Sequence, residues 1–267
     1  MMLSVLILCL IILLILRFLY LGKNKANFKT TTTNFGNKNQ EPLIIKKEDE
    51  CLIIVTDPVG AKRTGESACT IAKQSIAKYY ETSHAYISPN DFLKKACFLA
   101  HRSISEQMNA NSGGCSITLV YIKNKQLSYA SVGNIGIYLC EEELTQLNPF
   151  DLYKYQLSSQ VLERKISEES LLNNRFKNEL TAYLGHENLK KVNVNVSPIH
   201  LAKSDQILIV TKDVYEAIPP IPMERVMLEK GKSEHKIEVL KKMYNEQKQA
   251  NRVKTSTASA VLISHFK

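Results

Sequence analysis

The sequence predicts an α+β fold. Two segments with strand-like alternation, 116–122 and 126–132, face each other across the polar turn Lys123-Asn124-Lys125, the signature of an antiparallel hairpin. Helical spacing over 66–80 and 92–108 falls between strand groups, not in the regular alternation that βαβ crossovers would impose. With 267 residues, 44% hydrophobic and 23% charged, the chain has room for one sizeable core and an appendage.

The appendage comes first. Residues 3–16 are apolar apart from Ser4, and Arg17 and a second apolar stretch follow. Through Leu21 this makes roughly 20 residues, the length of a bilayer-spanning helix, with Arg17 placed to snorkel to the interface. A basic segment before the run and a small-residue cleavage site after it are both missing, which favours an uncleaved anchor over a signal peptide. Cys9 lacks the small preceding residue that lipidation requires.

Residues 22–40 are polar, carry the run Thr30 to Thr33, and read as a flexible tether. Between Arg17 and Gln40 lie Arg17, Lys23, Lys25, Lys29 and Lys38 with no acidic residue, so charge asymmetry predicts a single-pass membrane protein whose domain, 41–267, lies in the cytoplasm. This segment carries much of the net charge of +9. No basic patch interleaved with aromatics points to nucleic acid.

Within the domain, 51–56 reads as a buried strand, followed by the two helices and the hairpin. A strand over 135–140, a mixed helical stretch over 149–179, strands over 192–196 and 206–211, a short helix near Val214, an amphipathic helix over 234–248 and a last strand over 260–265 complete the order. The six cysteines show no CxxC pair, which implies neither zinc nor a disulfide framework, so buried free thiols are expected. The six histidines share no ligand spacing. Gly113-Gly114-Cys115-Ser116 leads into a strand without an evident His-carboxylate partner, unlike a nucleophile turn.

One stretch asks for a chemical explanation. In LIIVTDPVGAKRTGESAC, residues 52–69, a carboxylate sits at the tip of an apolar strand and is followed at once by Pro58 and Gly60. Asp57 either caps a turn by local hydrogen bonding or holds a metal.

Taken in order, the motifs resemble the PPM-type metal-dependent Ser/Thr protein phosphatases. Asp57 to Gly60 and Gly65 to Ala68 are similar to that family's Asp-Gly strand end and Gly-Glu helix start. SGGCSIT (112–118), YASVGNIGIYL (129–139), NELTAYLG (178–185), LAKSDQILIVTKDVYEAI (201–218) and STASAVLI (256–263) parallel its later segments. The resemblance covers about 34–265. It implies two antiparallel sheets in a sandwich flanked by helices, and a two-metal Mg²⁺ or Mn²⁺ centre that activates water and clamps phosphate.

The ligand positions that the resemblance implies are mostly altered. Asp57 stands at the bridging Asp, Pro58 keeps only the backbone carbonyl of the ligand Gly, and Glu41 is a displaced carboxylate. Gln40, Asn134, Lys212 and Ser256 occupy positions of acidic residues, Thr257 replaces an Asn, and the phosphate-binding Arg falls on Gly36. Asp213 is one residue from the Lys212 position, and on a strand end such a slip would turn it to the other face. Lys212 is expected to replace metal charge by pairing with Asp57.

With the anchor read from hydropathy and charge, the altered ligand positions imply a membrane-anchored pseudophosphatase, a binding or regulatory module with a protein partner and no cofactor. The alternative is a divergent Mn- or Mg-dependent Ser/Thr phosphatase using Asp57, Glu41 and Asp213. A structural subunit of a membrane assembly is the third reading.

Overall fold

A computed structural model describes residues 28–35, 41–47, 49–83, 87–108, 113–250, 258–264 and 266. The strands are β1 (Lys29–Asn34), β2 (Leu43–Lys47), β3 (Glu50–Val59), β4 (Gly114–Lys123), β5 (Gln126–Val132), β6 (Gly136–Cys140), β7 (Leu144–Gln146), β8 (Asn193–Val194), β9 (Ile199–His200), β10 (Gln206–Val210) and β11 (Ser259–Ser264). The helices are α1 (Lys62–Ser83), α2 (Pro89–Gln107), α3 (Tyr153–Leu162), α4 (Glu168–Leu172), α5 (Lys212–Ala217), α6 (Pro220–Leu228) and α7 (Ser233–Gln249).

Two antiparallel sheets form, ordered β1-β11-β10-β6-β7 and β2-β3-β4-β5-β8, with β9 also on β5. Strand alternation sorts the core into layers. Cys51, Ile53 and Val55 of β3 face Ile207, Ile209, Val261 and Ile263 of the other sheet. Leu52 and Ile54 point the opposite way, onto Ala68, Ala72 and Ile76 of α1 and Phe92 and Ala96 of α2. On the far side, Leu208, Val210 and Leu262 pack against Met223 and Met227 of α6 and Leu240 and Tyr244 of α7. The result is helices, sheet, sheet, helices, in agreement with the predicted α+β sandwich.

Three details depart from the sequence reading. Residues 29–34, expected in the tether, form β1 and pair along the whole of β11; four β-branched threonines suit a strand better than a flexible linker. Pro58 was expected in a turn, yet β3 continues to Val59, with Pro58 opposite Cys115. The missing N–H is tolerated because β2 pairs only as far as Ile54, leaving that side of β3 without a β2 partner at residue 58. The turn comes at Gly60, whose φ of 90° favours glycine. Short or half-exposed elements such as β2, β7 and α6 carried too little periodicity to be read.

Among the described residues no helix is long and apolar enough to cross a membrane. The anchor expected over 1–21 lies outside the described residues.

One buried charge fastens the end of β3 where the strand begins. The Glu50 carboxylate accepts hydrogen bonds from Tyr80 Oη of α1 at 2.8 Å, Tyr121 Oη at 2.5 Å and Lys123 Nζ at 3.0 Å. Burial alone would raise this acid, but the three donors outweigh it and draw it down to about 2 from 4.5. A depressed carboxyl stabilises the fold above its unfolded pKa and loses that contribution as pH falls toward the folded value. Glu50→Gln is expected to cost roughly 3 kcal/mol at pH 7, with the gap to wild type shrinking between pH 4.5 and pH 2 in urea denaturation. A gap independent of pH would contradict the assignment.

Candidate functional site

The inter-sheet layer turns polar at one end. Continuing the face of Ile53 and Val55 brings Asp57 into it, and Asp57 lies opposite Ser116 in the β3–β4 register. Thr118, opposite Val55, shares that face. From the other sheet, Thr211 continues the face of Ile207 and Ile209, and Ser259 that of Val261. All five side chains are buried. The Thr211 N–H donates to Ser259 O at 3.1 Å, and Ser259 N–H donates to Thr211 Oγ1 at 2.9 Å.

The connection from β5 to β6 crosses between the sheets here. Gly133 and Asn134 make the crossing, with Gly133 at φ 100°. A Cβ on Gly133 would meet Ser116 Oγ at 2.3 Å, so the close approach of this turn to β4 requires glycine. Asn134, 3% exposed, accepts from Ser116 Oγ at 3.2 Å. Asp151 holds the turn from behind: its Oδ2 accepts the Gly133 N–H at 2.8 Å and its Oδ1 accepts from Asn193 Nδ2 at 3.0 Å. Burial raises the Asp151 carboxyl, and these two donors offset part of that.

Asp213 completes the group. It occupies the first turn of α5, after Thr211, and is 7% exposed, as is Asp57. Tyr244 of α7, fully buried, senses both acids: burial first, then the charges of Asp213 and Asp57, push its hydroxyl up to about 12. Tyr215 is likewise raised, by burial and by Glu216, Tyr138, Asp57 and Tyr155, and its ring stacks on Phe150 at 4.9 Å. Asp57, Asp213 and Tyr244 thus share one neighbourhood, walled by aromatic rings.

The predicted site residues divide. Asp57 and Pro58 lie at the end of β3, and Asn134 lies in the crossing that Ser116, opposite Asp57, bonds to. Asp213 does not turn away, because residue 213 lies on a helix and the alternation of a strand no longer applies. Lys212 is the residue that turns outward: its side chain is 38% exposed and pairs with Glu216 at 3.7 Å, one helical turn on, in place of the expected pairing with Asp57. Glu41 is exposed, and its backbone carbonyl accepts from Lys73 Nζ at 2.9 Å. Gln40 and Ser256 lie outside the described residues, as do Gly36 and Thr257. Tyr244 and Asp151 were missed: one sits in an ordinary amphipathic helix and the other in a stretch with no recognisable motif.

Among the described residues no group of three or more His, Cys, Asp and Glu side chains is placed to hold a metal ion. Two hard divalent ions need several oxygen ligands each, with carboxylates to offset their charge. Asp57 and Asp213 fall short of that, so the described residues do not fit a two-metal centre.

The comparisons with known proteins bear on this arrangement. No family model matches the chain. Serine/threonine phosphatase stp of Listeria monocytogenes is 23% identical over 224 residues, 80% of this chain and 87% of its own. Among solved structures, the S. agalactiae serine/threonine phosphatase superimposes with a TM-score of 0.74 at 17% identity, covering 89% of this chain and 99% of its own. The catalytic domain of the phosphatase PstP, solved in complex with 2 manganese ions, gives 0.65 at 14% identity, covering 90% and 99%. The fold is that of the PPM-type Ser/Thr phosphatases, and the chain is a distant relative of these bacterial enzymes. At the polar end of the sandwich this chain carries Asn134, Asp57 and Asp213, with Tyr244 in range of both acids.

Two substitutions probe the local account. Gly133→Ala is expected to cost about 2–4 kcal/mol, from left-handed backbone and the clash with Ser116. Lys212→Ala is expected to cost less than about 0.5 kcal/mol, as an exposed pair contributes little. Chemical denaturation checks both, and a large loss in Lys212→Ala would place that lysine in the site after all.

Proposed function

We propose that this PPM-type domain works as a binding or regulatory module that does not hydrolyse phosphoesters, held at a membrane by residues 1–21 with the domain on the cytoplasmic side. The observation that carries the reading is the content of the site: Lys212 faces outward to Glu216, Asn134 is engaged by Ser116, and the charges of the two buried acids both act on a buried tyrosine. A tyrosine hydroxyl and short polar side chains can hold a pocket together, but they do not offset the charge of two divalent ions. The polar end would still recognise a partner by shape and hydrogen bonding.

The strand register bears on orientation. Lys29, the first residue of β1, lies opposite Ser264, whereas Asn34 lies opposite Ser259 beside the polar end. An anchor preceding β1 would therefore enter at the far end of the sandwich and leave the site facing away from the bilayer.

A second reading, a divergent Mn- or Mg-dependent Ser/Thr phosphatase, is favoured by one observation: the charges of Asp57 and Asp213 both act on Tyr244. The two readings separate by metal titration and turnover of the full chain in detergent micelles. A site binding Mn²⁺ a hundredfold more tightly than the concentration used would add about 2.7 kcal/mol, or about 5–10 °C in Tm. The module reading expects less than about 1 °C at millimolar Mn²⁺ and no hydrolysis of phosphopeptides above the Asp57→Asn background. Turnover that Asp57→Asn abolishes would establish the second reading.

A further inference from the structure

Two cysteines on different elements meet beside the site. Cys69 of α1 and Cys115 of β4 bring their sulfurs to 3.0 Å, the Cys69 S–H donating to Cys115 Sγ. The Cys115 S–H donates in turn to Ser116 O at 3.1 Å. Both residues are buried. Among the described residues no other pair of cysteine sulfurs is in contact; burial pushes the Cys115 thiol up, as it does those of Cys51 and Cys97, so what sets this pair apart is the sulfur–sulfur contact itself.

Cys115 occupies a sensitive position. It lies opposite Pro58 in the sheet, precedes Ser116, and exchanges both backbone hydrogen bonds with Leu184 at 3.0 and 2.9 Å. Lys73, one turn beyond Cys69, is partly exposed and close enough for its charge to act on both sulfurs. Both sulfurs are buried, so only an oxidant as small as hydrogen peroxide suits the pair.

We propose that Cys69 and Cys115 are a redox-active dithiol that closes to an internal disulfide under hydrogen peroxide, fastening α1 to β4 beside Asp57. The Cys69 thiolate attacks one peroxide oxygen; the O–O bond breaks, hydroxide leaves, and a sulfenic acid forms. The Cys115 thiolate then attacks the Cys69 sulfur, forming S–S as the S–O bond breaks and a second hydroxide departs. The two thiol protons convert the hydroxides to two waters, so two sulfurs are oxidised and two peroxide oxygens reduced. Moving from 3.0 Å to a bond of about 2.05 Å asks for a sulfur shift of about 1 Å. Disulfides in a reducing compartment are characteristically transient and redox-sensing, and this one would stiffen the edge of the binding site.

The test is peroxide treatment of the full-length protein in detergent, followed by intact mass and non-reducing peptide mapping. The expected result is loss of two hydrogens, a cross-linked peptide joining Cys69 to Cys115, reversal by dithiothreitol, and a Tm raised by about 5 °C or more. Cys69→Ser and Cys115→Ser should each prevent the cross-link, while Cys97→Ser should leave it. The wild-type map decides the matter even where a variant folds poorly. Persistence of both thiols, oxygen added to Cys69 alone, a cross-link mapped elsewhere, or an unchanged Tm in the cross-linked form would each overturn the proposal.

Discussion

Two carboxylates buried at the end of an apolar sandwich must be compensated, and that end of the structure is arranged around the requirement. Removing an acid from water is costly without hydrogen bonds or opposite charge. Asp57 and Asp213 are brought there by different elements, one by the face of β3 and the other by the first turn of α5. The positive end of a helix favours an acid in its first turn, which contributes at Asp213. Around them lie Tyr244, Ser116, Asn134 and Thr211, neutral groups able to donate or accept hydrogen bonds. Where this fold can carry paired cations, as the manganese complex of PstP shows for that protein, the described residues here supply polar neutral groups.

The scaffold makes this possible through a few close approaches. Gly133 lets the β5–β6 crossing lie against Ser116, and Asp151 braces the crossing from the helical side. Gly65 does the same for α1, since a Cβ there would come within 2.8 Å of Pro58 Cβ. The segment that follows Asp57 is thereby pressed between α1 and β4, at the level where Cys69 meets Cys115. At the other end of β3, Glu50 ties the strand to α1 through Tyr80. Both ends of this strand are thus fixed to the same helix, and the position of Asp57 follows from that.

Much of the layer structure was legible in the sequence because each sheet faces helices on one side and its mate on the other. Leu52 and Ile54 alternate with Cys51, Ile53 and Val55, so the whole run is apolar and reads as a buried strand. The hairpin of β4 and β5 was legible from alternation and its polar turn, and Asn124 and Lys125 indeed adopt positive φ. β1 was obscured because its polar threonines resemble a tether until β11 is present to pair with them. At the site, Asp57 and Asn134 could be found by motif, whereas the roles of Lys212 and Asp213 depended on whether residue 212 continues a strand or opens a helix. That choice reverses which side chain is buried. Tyr244 was beyond reach, since its partners are fixed only when α7 packs on the sheet.

The most direct test of the central claim is a crystal structure grown in millimolar Mn²⁺, with anomalous scattering measured at the manganese edge. The account predicts no anomalous peak at the Asp57 carboxylate, with Asp57 and Asp213 still close to Tyr244. An ion bridged by Asp57, or a pair of ions displacing Tyr244, would contradict it and return the chain to metal-dependent hydrolysis.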